Sequence, residues 1–179
     1  LIMKREKIIA SFVLFCLLFC FSGLLTLGWF LQTTNASKKI SAFMMGAEYI
    51  GNQNVVLQKK RNDCGPSALK MIFDYYNISL SLDEIEKELG LTEKGTSMLA
   101  LKEMAEVKGL KAEAWRLTLD DFLNRQFPLI LFVHNDHYIV ADSVNNNEVF
   151  IRDPSIGRLK MKKNKLKNIW NGETLIFNK

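Results

Sequence analysis

Residues 8–31 contain no Asp, Glu, Lys or Arg. As a helix at about 1.5 Å per residue the run is about 36 Å long, enough to cross a hydrocarbon core of about 30 Å. It therefore sets the plan of the chain: a short head at residues 1–7, a span at 8–31, and a water-facing remainder. Lys4, Arg5 and Lys7 precede the run, while Lys38 and Lys39 follow well after it. The positive-inside bias places the head in the cytoplasm and the remainder across the membrane. A cleaved signal peptide is the alternative, with Thr34-Asn35-Ala36 as its small-residue cleavage site. The run exceeds the usual apolar core of about 7–15 residues in signal peptides, which favours an uncleaved anchor. Cys16 and Cys20 lie inside it behind Phe15 and Phe19, bulky where lipoprotein processing needs small residues, and read as apolar helix residues.

Residues 32–54 are polar around an apolar island, Ala42-Phe43-Met44-Met45, and read as a tether whose island touches the membrane surface or packs locally. Residues 55–179 suffice for one domain with its own core and leave no room for a second. The coarse order is α+β, helices first and strands later. Leu69, Ile72, Phe73 and Tyr76 recur at helical spacing after Pro66, a residue suited to a first turn. Ser81-Leu82-Asp83-Glu84 and Thr118-Leu119-Asp120-Asp121 match capping boxes, and residues 97–108 form a further amphipathic stretch closed by Gly109. Beyond Pro128 the period changes. Residues 129–133, 138–143 and 148–152 are short, apolar and β-branched, and read as antiparallel strands with Asn145-Asn146-Asn147 as a turn.

Cys64 is the only cysteine outside the span, so no intramolecular disulfide is possible in the domain. A free thiol of pKa about 8.5 becomes a nucleophile when an imidazole or a helix N-terminus favours its thiolate. Cys64 has both prospects, standing before the expected helix and upstream of His137, which opens a strand. His137 would take the thiol proton and return it to a leaving amine. Asp153, at the end of the neighbouring strand, would hold the ring in the productive tautomer. Gln58, six positions before the sulfur, could join the Cys64 N–H in an oxyanion hole. A lone cysteine before a helix is most often a buried small hydrophobe; the other three residues favour catalysis over that reading. His134 is a competing base but reads as a loop or surface residue, Asp63 reads as the cap of the Cys64 helix, and Asp136 and Asp142 are alternative orienting groups.

Gln58, Asp63-Cys64-Gly65, His137-Tyr138-Ile139-Val140 and Asp153-Pro154-Ser155-Ile156-Gly157 occur in one order and spacing. In these motifs, and in the closing Ile169-Trp170-Asn171-Gly172-Glu173-Thr174-Leu175, the chain resembles the bacteriocin-processing, double-glycine leader peptidases of the papain-like superfamily, over roughly residues 55–177. The resemblance implies a papain-like cysteine peptidase fold with helices packed on an antiparallel sheet. It also implies cleavage of leader peptides from secreted precursors after a Gly-Gly or Gly-Ala pair, without a cofactor. Cys64, His137, Asp153 and Gln58 fall on the family's catalytic positions. Well-known members are fused to a transporter. This sequence has no Gly-x-x-x-x-Gly-Lys-Ser/Thr phosphate loop, so the expectation is action alone or with a separate ABC-type exporter. The expected setting is the bacterial cell envelope, single-pass, with the domain extracytoplasmic. A cell-wall peptidase or amidase, a non-catalytic leader-capture module and a transamidase are the rival readings.

The segment from Arg158 to Lys167 carries six basic residues and no acid within a net charge of +5. A solvated face is its simplest reading, with anionic headgroups or an acidic leader as possible counter-charges. Nucleic acid is not an expected partner, because no recognisable binding module accompanies the charge. Two histidines and one soluble cysteine also fall short of a usual metal-ligand set.

Overall fold

The computed structural model describes the backbone of residues 2–33 and 35–179, and the side chains of 11–30 and 35–179. Thr34 of the alternative cleavage site and the side chains of Lys4, Arg5 and Lys7 lie outside the described residues. Two units are distinct: residues 1–40 and residues 41–179. The first is dominated by α1 (Ile2–Thr33). Within it Ser11–Phe30 has a mean hydropathy of 2.2, long and apolar enough to cross a membrane. The following helix α2 (Ala36–Met44) crosses the boundary between the units.

The second unit is built on a seven-stranded antiparallel sheet in the order β1-β6-β5-β4-β3-β7-β2. Its strands are β1 (Ala47–Gly51), β2 (Lys111–Arg116), β3 (Leu129–Val133), β4 (His137–Asn145), β5 (Glu148–Asp153), β6 (Gly157–Lys162) and β7 (Trp170–Asn178). Three helices, α3 (Cys64–Tyr75), α4 (Leu82–Glu88) and α5 (Met98–Val107), precede most of the strands; α6 (Leu119–Leu123) and α7 (Lys163–Leu166) are short connectors. This is the expected α+β order. The caps are local and form as read: Ser81 and Thr118 complete capping boxes, and Ser97 accepts from the Ala100 N–H.

Side-chain alternation on the strands divides the interior in two. Ile130, Val140, Leu175 and Phe177 pack with Leu69, Ile72, Phe73, Ile85 and Leu101 on the helical face. Leu129, Leu131, Val133, Ile139 and Ala141 face the other way, against Phe122, Leu166, Trp170 and Ala42. Strand β3 is thus buried on both faces, as expected of a continuous apolar run at the sheet centre.

The residues read as a tether are largely structured, as α2 and then β1. Residues 47–51 pair with β6 through Ala47↔Met161 and Tyr49↔Leu159, and form the sheet edge. The basic segment is likewise not a continuous charged face. Leu159 and Met161 point inward from β6, while Lys160 pairs with Glu48 and Glu148, and Arg158 with Asp142.

Candidate active site

Cys64 is the first residue of α3 and is buried. The backbone of Asp63 occupies the N-cap, its carbonyl receiving the Ser67 N–H at 3.0 Å. Its side chain does not cap the helix, contrary to expectation. Oδ2 instead accepts from the N–H groups of Lys59 (2.9 Å) and Lys60 (3.1 Å), folding the preceding loop back on itself. The sulfur therefore sits at the positive end of a twelve-residue helix dipole. Pro66 is tolerated in this first turn because its missing N–H has no intrahelical acceptor there.

The β4–β5 hairpin supplies the partners. Its register pairs Asn145 with Glu148, and Asn146 takes a left-handed φ of 51° in the tight turn between them. The hairpin brings His137 and Asp153 together from sixteen residues apart, with His137 Nε2 2.9 Å from Asp153 Oδ1. Nδ1 is the ring nitrogen not used by Asp153, and the Cys64 side chain is near enough to favour the charged ring. Burial disfavours the charged imidazole, but the hydrogen bonds to Asp153 and Cys64 and their charges outweigh it, raising His137 from 6.5 to about 10. Burial likewise pushes the Asp153 carboxyl up, while His137 and two donors from Ser155 hold it below its ordinary value.

Ser155 was not singled out in the sequence. Its N–H and its hydroxyl both donate to Asp153 Oδ1 at 2.7 Å, so that one oxygen is fixed by three contacts. Asp-x-Ser is an Asx-turn pattern, and that local signal was available. Gln58 lies beside the same turn, with its N–H donating to Pro154 O at 2.9 Å. Its Nε2 donates to Lys60 O at 2.8 Å, while its buried Oε1 has no hydrogen-bond partner.

The alternatives fall elsewhere. His134 is exposed in the β3–β4 turn with a φ of 54°. Asp142 is ion-paired with Arg152 and Arg158, and Asp136 is exposed. Among the described residues no three His, Cys, Asp or Glu side chains form a metal-ligand group.

A cleft of about 730 Å³ opens over Cys64, lined by Asn62, Gly95, Thr96, Phe132 and Tyr138 among others. One wall is tied down by the Asn62 side-chain amide, which donates to Thr92 O at 2.6 Å. Tyr138 packs against Phe132 with ring centroids 4.8 Å apart, and burial together with the charge of Cys64 pushes its hydroxyl up to about 12. Beneath Cys64 the packing is close: a Cβ on Gly65 would stand 3.3 Å from the Tyr138 ring and 3.5 Å from Thr96. A thiol at a helix N-terminus, near an imidazole that a buried carboxylate orients, can be deprotonated and can return that proton to a leaving group.

Helices packed on this sheet, with a thiol opening on a cleft and an imidazole–carboxylate pair beside it, fit a cysteine peptidase. The chain belongs to the peptidase C39 family, whose model matches residues 52–179. It is 34% identical over 133 residues to the lactococcin-A transport/processing ATP-binding protein of Lactococcus lactis subsp. lactis, covering 70% of this chain and 19% of that one. It is 27% identical over 137 residues to an uncharacterized protein of Methanothermobacter thermautotrophicus, covering 76% of this chain and 96% of that one. Among solved structures it is similar to a double-glycine motif protease from an AMS/PCAT transporter in complex with the leader peptide. There the TM-score is 0.67 at 25% identity, over 69% of this chain and 89% of that one. The chain thus carries the family's double-glycine leader peptidase domain.

Proposed function

We propose that this chain is a membrane-tethered cysteine endopeptidase that removes leader peptides from secreted precursors by cutting after a Gly-Gly or Gly-Ala pair. Cys64 attacks the scissile carbonyl, and His137 takes the thiol proton and delivers it to the leaving amine. Asp153 keeps Nε2–H pointed at itself and Nδ1 at the sulfur. Gln58 and the Cys64 N–H hold the oxyanion, and water then resolves the acyl-enzyme. The observation that carries this reading is the His137 ring 2.9 Å from Asp153 Oδ1 and raised by the nearby Cys64 side chain, itself the first residue of α3. The family's double-glycine specificity supports two small residues beside the scissile bond, in a cleft walled by Phe132 and Tyr138. Relatives that are transport/processing ATP-binding proteins support an ABC-type exporter as the partner that moves the processed product. The run of α1 and the excess of basic residues before it support an uncleaved anchor with the domain outside the cytoplasm.

The test is intact-mass analysis of the full chain in detergent, wild type and Cys64→Ala, incubated with leader peptides ending in Gly-Gly. Cleavage after the pair by wild type alone is expected. Binding without cleavage by either protein would replace this reading with a capture module. Digestion of purified cell wall, with the leaders left intact, would replace it with a wall peptidase. Protease added to intact spheroplasts should degrade the domain, and protection there would overturn the topology.

A further inference from the structure

Two segments far apart in sequence meet on the sheet face that α3, α4 and α5 do not cover. The end of α2 buries Ala42 in the second core, and this inward anchor turns Phe43 and Met44 outward, 81% and 82% exposed. The helix closes with the Gly46 N–H donating to Phe43 O at 2.9 Å. From the other end of the domain, α7 buries Leu166 in the same core and brings Lys165 against Gly46, whose added Cβ would lie 3.3 Å from Lys165 Cδ. Phe43, Gly46, Lys162 and Lys165 line one groove of about 440 Å³. Glu48 and Glu148 on its wall are paired with Lys160. Lys162, Lys163, Lys165 and Lys167 have no ion-pair partner among the described residues; Lys162 and Lys165 line the groove beside Phe43, and Lys163 and Lys167 lie on the same short segment.

We infer that this patch is a docking surface for an anionic lipid bilayer. Phe43 and Met44 enter the acyl boundary, and Lys162, Lys163, Lys165 and Lys167 meet the headgroups. Exposed apolar side chains beside unpaired lysines have the chemistry of an interfacial anchor. Each lysine near an anionic surface contributes about a fivefold gain in partition, so four together give a gain of several hundredfold. Chain reach selects the bilayer over an acidic polypeptide. Seven residues lie between the end of α1 at Thr33 and Ser41, at most about 28 Å of chain, so Ser41 is held near the membrane surface. This inference rests on α1 being an anchor and goes beyond it, because a tether alone fixes no orientation. Docking by this face leaves the opposite one, with Cys64 and its cleft, open to a peptide substrate.

The experiment uses the full chain in nanodiscs containing a phospholipid with a photoactivatable diazirine near its headgroup, with adducts mapped by mass spectrometry. In phosphatidylglycerol discs, adducts are expected on residues 43–44 and 162–167. About tenfold fewer are expected in phosphatidylcholine discs, and the same drop for the Lys162→Gln, Lys163→Gln, Lys165→Gln, Lys167→Gln variant. Phe43→Ser should lower the yield at 43–44 while leaving leader cleavage in detergent unchanged. Equal labelling in both lipids, or labelling indifferent to the four substitutions, overturns the inference. So does a patch left bare by lipid but protected from a soluble carbene probe by polyglutamate, which would make its partner an acidic polypeptide. A chain that elutes apart from the discs overturns the anchor itself, a result distinguishable from an inserted chain whose patch stays unlabelled.

Discussion

Replacing Asp153 with Asn isolates the charge that sustains the imidazolium. The side chain of His137 is 16% exposed, and its rise from 6.5 to about 10 is worth about 5 kcal/mol of preference for the protonated ring. Of that rise, a carboxylate in direct contact accounts for about 1–3 pH units. Asn keeps an oxygen that accepts from Nε2–H and from Ser155, but carries no charge. The alkaline limb of kcat/KM for a Gly-Gly peptide, where the ring loses the proton needed by the leaving amine, should therefore move from about 10 to about 8. At pH 9 the protonated fraction drops from about nine-tenths to about one-tenth, a further tenfold loss beyond any pH-independent one. The assay is a pH–rate profile of both proteins, with far-UV circular dichroism at each pH to exclude unfolding. An Asn variant whose alkaline limb coincides with the wild-type limb, at matched folding, would refute the argument that Asp153 holds the ring charged.

Further perturbations probe the rest of the site. Gln58→Ala should lower kcat by about 10²–10³-fold with KM nearly unchanged, because an oxyanion donor acts only in the transition state; a change confined to KM would contradict that role. Ser155→Ala removes one of three contacts on Asp153 Oδ1, so the carboxyl should rise and the acid limb of the pH–rate profile should move to higher pH. An unmoved acid limb would leave Ser155 a purely structural role. A Cβ on Gly157, at φ +132°, would lie 2.7 Å from Gly51 O and 2.4 Å from Asn52 Oδ1, so Gly157→Ala should cost about 3 kcal/mol, read from urea unfolding of the full chain in detergent. His137 also links stability to pH. Its raised value gives stability that is full below about 6.5 and lost as pH climbs through about 10, so melting temperature should decline over that window in wild type and less in Asp153→Asn.

Elements whose determinants are local were legible in the sequence. Ser81 and Glu84, or Thr118 and Asp121, lie three residues apart and satisfy each other wherever the helix is placed, so their capping boxes could be read without any tertiary knowledge. The β4–β5 hairpin was legible for the same reason: its turn residues sit between two apolar runs, and closing it brings His137 to Asp153. Strand β1 was not legible, because Ala47-Glu48-Tyr49-Ile50-Gly51 becomes a strand only by pairing with β6 more than a hundred residues later. Strands β2 and β7 are likewise specified by each other, with Ala112 facing Phe177 across the ladder.

The candidate site divides along the same line, and the division separates residue type from orientation. The kinds and order of Gln58, Cys64, His137 and Asp153 are one-dimensional information, set by what thiol chemistry requires. Where each polar atom points is set by competition among nearby donors and acceptors. The Asp63 carboxylate could have capped α3, but Lys59 and Lys60 offer two N–H groups from one tight loop, and accepting both leaves the helix cap to the backbone. Ser155 acquires its place the same way, since a proline at 154 lacks an N–H and the next donor in reach of Asp153 is the serine's own. The proline therefore shapes the candidate site through the backbone alone: it removes a competing donor beside Asp153, while its carbonyl receives the Gln58 N–H and ties that loop to the same turn.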